Sequence, residues 1–160
     1  MKKLARLIVT VAIMLCGTTV ANAQSTVYVF MRSAFNAECV MSINGGESFD
    51  ICGPLKKTIM NLHGPEPNRQ YHPGKKKIVL KDEGKALFST KYTFYANMDR
   101  SNPRNLVAEI QLNLSGGSVH YIKVGAKGLN DIQIKEVDEK EGLKLLKDKK
   151  YKELPEYIEQ

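Results

Sequence analysis

LVAEIQLNLSGGSVHYIKVGAKGLNDIQIKEVDEKE, residues 106–141, carries the pattern that decides the fold. Leu106, Ala108, Ile110, Leu112 and Leu114 alternate with Val107, Glu109, Gln111 and Asn113. A period of two predicts a strand with one buried face. After Ser115-Gly116-Gly117 the alternation resumes in His120, Ile122 and Val124. A three-residue hairpin loop would set Leu112 opposite His120 and Ile110 opposite Ile122, with both apolar sets on one face. Gly117 suits a type I turn closed by a G1 bulge. Ile132 and Ile134 predict a further short strand. Asp138 then caps a helix whose acidic first turn suits the helix dipole. Leu143, Leu145 and Leu146 give that helix an apolar side, and Gly142 weakens it by about 1 kcal/mol relative to Ala.

The same grammar runs through the rest of the chain. Residues 26–31 are β-rich. Cys39, Met41 and Ile43 share a face that Phe49 and Ile51 continue after a turn at Asn44-Gly45-Gly46. That register sets Cys39 opposite Ile51 and Cys52 on the other face. A two-residue Gly45-Gly46 turn would instead oppose the cysteines and put Phe49 on the polar side. Residues 58–62 read as a short strand, and HGPEPNRQYHPG, residues 63–74, as a Pro-rich loop. Residues 76–80 and 86–94 predict a third hairpin, with Leu80 opposite Ala86 and Ile78 opposite Phe88 across a turn ending at Gly84. Strands do not alternate with helices, which argues against a parallel α/β sheet. The expectation is a mainly β, antiparallel β-sandwich of about seven to nine strands with one short C-terminal helix.

The N-terminus reads as an export signal. Lys2, Lys3 and Arg6 precede an apolar run over residues 7–16, and Ala21-Asn22-Ala23 is a small-x-small cleavage site. The run is too short to span a bilayer as a helix. Residues 1–23 are therefore expected to be a signal peptide, and residues 24–150 a single sandwich domain. Residues 151–160 read as a charged tail with Leu154 and Tyr157 as its candidate docking points. The destination is periplasmic or secreted, and lipid anchoring at Cys16 is disfavoured because bulky Leu15 precedes it. Cleavage lowers the net charge from +7 to +4 by removing three cations. Two cysteines remain, Cys39 and Cys52. An even count in an exported chain makes them a candidate disulfide, with two buried thiols as the open alternative.

Chemistry is thinly signposted. There is no HExxH, CxxC pair, GxSxG or Walker A motif. The paired glycines precede strands, whereas phosphate-cradling loops open helices. No catalytic residue and no cofactor is assigned. His120 is in phase with buried positions and reads as a core or edge histidine. His63, Glu66 and His72 flank the Pro-rich loop and form the alternative reading, a small metal-binding protein or hydrolase. From residue 53 to residue 104 there are eleven Lys and Arg against four acids. Arg69, Tyr71, Lys75, Lys76 and Lys77 are thus the candidate ligand-binding set, fitted to an envelope protein or an anionic glycan. The competing reading is a lysine-guarded edge strand. Export and the lack of RNA-binding or helix-turn-helix signatures argue against nucleic acid, and no later segment of the mature chain is long and apolar enough to span a membrane.

STVYVFMR (25–32), SINGGESFDI (42–51), YHPGKKKIVL (71–80), LNLSGGSVHYIKV (112–124) and IKEVDEKEG (134–142) together resemble the domain-of-unknown-function 2846 family. The resemblance covers nearly the whole mature chain and rests on the order of these elements. It implies a small exported bacterial protein with a PEGA-like or prealbumin-like β-sandwich, and it implies no catalytic residues. The chain departs from the pattern in lacking a good lipoprotein signal and in its insertion over residues 61–71.

Overall fold

The computed structural model describes residues 24–32, 34–59, 68–95, 103–126 and 131–159. β1 (Ser25–Met31) is buried or half-buried along its whole length. That suits its place in the middle of the larger sheet, where both faces are covered. It pairs antiparallel with β6 (Gly74–Leu80) and parallel with β9 (Val119–Ala126). β10 (Ile132–Val137) extends the sheet beyond β9, while β11 (Lys152–Glu153) and β12 (Tyr157–Ile158) run parallel along β6. The smaller sheet has the antiparallel order β3 (Phe49–Asp50), β2 (Ala37–Ile43), β7 (Gly84–Tyr95), β8 (Pro103–Leu114). β4 (Leu55–Ile59) and β5 (Asn68–Tyr71) form a separate two-stranded unit.

One core joins the two large sheets. Val27, Val29, Met31, Ile78, Ile122 and Val124 from one face Met41, Ile43, Phe88, Leu112 and Leu114 from the other. Each such side chain contributes about 1.5–3 kcal/mol when fully withdrawn from water. The architecture is therefore mainly β and sandwich-like, as the alternation predicts. The helix α1 (Glu139–Lys147) forms a third layer on the outer face of the larger sheet. There Phe30, Tyr121, Val137, Leu145 and Tyr151 make a second cluster. Asp138 caps α1 as expected, accepting the Glu141 N–H at 2.7 Å. Gly142 is required for this contact. A Cβ there would lie 2.2 Å from Cγ of Tyr121, whose ring is stacked on Tyr28.

Several expectations are corrected. Of the three expected hairpins only the first forms, with Val40 opposite Asp50 and the Ile51 N–H donating to the Cys39 carbonyl at 3.1 Å. β8 and β9 are not partners: β8 pairs with β7, and β9 lies in the other sheet between β1 and β10. Likewise β6 pairs with β1, and β7 with β2 and β8. The links at residues 115–118 and 81–83 therefore cross between sheets. The Ser115 turn is closed by the Ser118 N–H on the Ser115 carbonyl, with Gly117 third at φ +77° as a type II turn demands. Inward alternation is satisfied equally by two strands facing each other across a sandwich and by two strands side by side, so the pattern fixed the buried face without fixing the neighbour.

Twelve strands occur among the described residues rather than seven to nine, because β3, β11 and β12 are two-residue pairings set by their neighbours. The larger sheet is also mixed, with parallel contacts at β1–β9, β6–β11 and β6–β12. Residues 151–159, read as a tail, belong to the domain: Tyr151 is buried, and the Tyr157 ring stacks on Phe49 at 4.3 Å. β6 is not an edge strand, which removes edge-guarding as the role of its lysines. The signal peptide and Cys16 lie outside the described residues.

Candidate functional site

Of the sequence-predicted basic set, only the three lysines are brought together. Arg69 and Tyr71 sit on β5, where Tyr71 packs against the main core. Lys75 reaches Glu153 at 3.0 Å and the Leu146 carbonyl at 3.1 Å, tying β6 to β11 and to the end of α1. Lys77 pairs with Glu156 at 2.8 Å. Lys76 is buried, its ammonium 5.3 Å from the centre of the Phe49 ring, and burial holds its pKa below the ordinary lysine value. These lysines line a groove of about 270 Å³ together with Glu153 and Glu156, so most of their charge is met from within the chain. His63 and Glu66 lie outside the described residues. His72 is half-buried and donates its backbone N–H to the Pro54 carbonyl.

Cationic charge with fewer internal partners gathers elsewhere. Arg32 follows β1, Lys123 lies on β9 and Lys135 on β10, where it is the register partner of Lys123. Two outward-pointing lysines directly opposite each other repel, which disfavours the bare pair. Glu141 from α1 relieves one of them, meeting Lys123 at 2.7 Å, and that ion pair holds the Glu141 carboxyl below its usual range. Arg32 and Lys135 have no acid within ion-pair distance among the described residues. The Arg32 side chain lies over Gly125, where a Cβ would stand 3.1 Å from its Cδ. The three cations and the Gln133 amide line a cleft of about 280 Å³. A second cleft, of about 360 Å³, shares Arg32 and Lys123 and adds Lys150. No sequence run betrays this site, because its residues come from the end of β1, from β9, β10 and the segment after α1, and meet only through the β1–β9 and β9–β10 pairings and the packing of α1.

A second constellation escaped the sequence reading. His120 Nδ1 is 2.7 Å from Glu136 Oε1, and His120 Nε2 is 3.1 Å from Ser118 Oγ. A Ser-x-His spacing at the start of a strand is too common to single out, and Glu136 joins it only through β9–β10 pairing.

Cys39 and Cys52 are free thiols that hydrogen-bond to each other. The register of the first hairpin is as expected, but the chain leaves the strand after Ile51 and turns Cys52 back onto the core beside Cys39. Donation from Cys39 holds the Cys52 thiol below its ordinary value, whereas that bond and then burial push Cys39 far up. The adjoining Tyr92 hydroxyl is pushed up to about 12, mainly by burial.

No protein-family model, curated protein or solved structure matches the chain.

Proposed function

We propose that the chain is an exported cell-envelope β-sandwich that captures an anionic ligand, an acidic glycan above all, in the cleft of Arg32, Lys123 and Lys135. The observation that carries this reading is the convergence of Arg32, Lys123 and Lys135 on one cleft with no acid among its described lining residues, Glu141 meeting Lys123 from outside that lining. Guanidinium groups bind carboxylates and sulfates through a planar pair of donors, and lysines add less directional attraction. The shared wall with the Lys150 cleft favours an extended polyanion over a single small ion. Export supports a glycan or an acidic envelope protein as the partner. It rests on the signal pattern of residues 1–23, and the ordered motifs resembling the domain-of-unknown-function 2846 family agree with it.

Binding of heparin and of polygalacturonate to residues 24–160, followed by calorimetry at two salt concentrations, tests the reading. Combined Arg32→Ala and Lys135→Ala substitution is expected to weaken binding at least about tenfold and to flatten its salt dependence. Equal binding by wild type and variant would remove the cleft from consideration, and a wild type that binds neither polymer would sink the reading.

A further inference from the structure

We propose that Ser118, His120 and Glu136 form a nucleophile–base–carboxylate relay that hydrolyses neutral or cationic acyl esters at the rim of the sandwich. Glu136, as a carboxylate, can only accept, so the imidazole proton sits on Nδ1 and Nε2 is left as the base. Nε2 faces Ser118 Oγ at 3.1 Å, within reach for proton transfer. The serine is itself positioned: the Ser115 N–H donates to Oγ at 3.3 Å, and Oγ donates to Ser25 Oγ at 3.1 Å, which in turn donates to the Ser115 carbonyl. Those contacts, with the Ser118 N–H on the Ser115 carbonyl, already close the turn without the histidine. The imidazole is therefore surplus to holding the turn, and the order acid, histidine, hydroxyl is the one that acyl transfer requires.

In the reaction, the Ser118 hydroxyl turns its proton from Ser25 Oγ to His120 Nε2, and Oγ attacks the ester carbonyl carbon as that proton passes to the imidazole. The tetrahedral intermediate collapses, the C–O bond to the alcohol breaks, and the alkoxide leaves with the proton from Nε2. Water then attacks the acyl-serine, giving its proton to Nε2, and release of the carboxylic acid regenerates Ser118. The N–H groups of Gly116 and Gly117, which have no acceptor among the described residues, are the donors available to the oxyanion. His120 is 16% exposed and so reachable, and with Glu136 it lines a cleft of about 390 Å³. Asp138 and Glu139 line the same cleft, and their charge selects against anionic esters. This site is at the opposite end of β9 from the cationic cleft, so either reading can fail without the other.

The folded wild-type chain is treated with a fluorophosphonate probe and mapped by peptide mass spectrometry, and turnover of p-nitrophenyl acetate is measured. The expected label is on Ser118. Ser118→Ala and His120→Ala should each lower kcat/KM at least about a hundredfold, with unchanged circular dichroism. Glu136→Gln should lower kcat while leaving KM unchanged, which a purely structural role would not do. The hemisuccinate ester should be the poorer substrate. An unlabelled Ser118 in folded wild type overturns the proposal whatever the variants do, as does a Ser118→Ala protein that turns over ester at the wild-type rate.

Discussion

Cys39 and Cys52 show how far the state of one residue is set by another. Cys52 is half-buried, and its sulfur accepts from Cys39, so it is the more acidic and more reachable thiol. Cys39 is buried and held protonated. Thiolate is the attacking species in thiol–disulfide exchange. With glutathione disulfide, Cys52 should therefore attack first and Cys39 should resolve the mixed disulfide, releasing two glutathione thiols in all. The expected product is two hydrogens lighter by intact mass, and closing a loop of this size should add about 3 kcal/mol of stability. In the reduced protein, limiting iodoacetamide should mark Cys52 well ahead of Cys39. Equal marking of both, or a stable glutathione adduct that never resolves, would show that the thiols act independently. The sequence left this pairing open because strand register governs residues within the ladder, and Cys52 lies one position beyond it.

At the scale of elements, α1 is the clearest case of a local rule overridden by packing. Helix propensity alone predicts that Gly142→Ala stabilises the protein by about 1 kcal/mol. The added methyl would instead enter the Tyr121 ring at its inner carbons, and that ring is fixed between α1 and Tyr28. Overpacking of this kind costs about 1–3 kcal/mol, so the variant should show a lower denaturant midpoint with an unchanged slope. A higher midpoint would mean that Tyr121 moves freely. The buried faces, the capped helix and the first hairpin register were legible because each follows from spacing or a side-chain donor within a few residues. The Asp138 cap and the inward set Leu112, Leu114, Ile122 and Val124 are examples. What was not legible was which strands neighbour each other. The turn at Ser115 connects an inward strand to an inward strand in either arrangement, so nothing in residues 106–124 distinguishes a hairpin from a crossing. Both candidate sites depend on that missing information, since Lys135 and Glu136 meet β9 only through the sheet order.

At the scale of the molecule, the last residues complete the larger sheet rather than trail from it. β12 lies along β6, Tyr157 stacks on Phe49, and Glu156 pairs with Lys77. Ending the chain after Leu154 removes all three and should cost about 2 kcal/mol, chiefly from the lost aromatic burial. Hydrogen exchange at the β6 amides should rise in the same variant, and unaltered exchange and melting would show that β12 merely rests on the surface. The opposite end of the chain has a larger consequence. β1 begins at residue 25, yet its hydrogen-bonding partners are β6 and, in parallel, β9, which ends at residue 126. A polypeptide emerging amino end first thus exposes a β-rich segment whose ladder cannot close until most of the length has followed. Such long sequence separation makes folding slow relative to synthesis. A growing chain of this design therefore leaves one side of β1 without its ladder until the whole of β9 has been made.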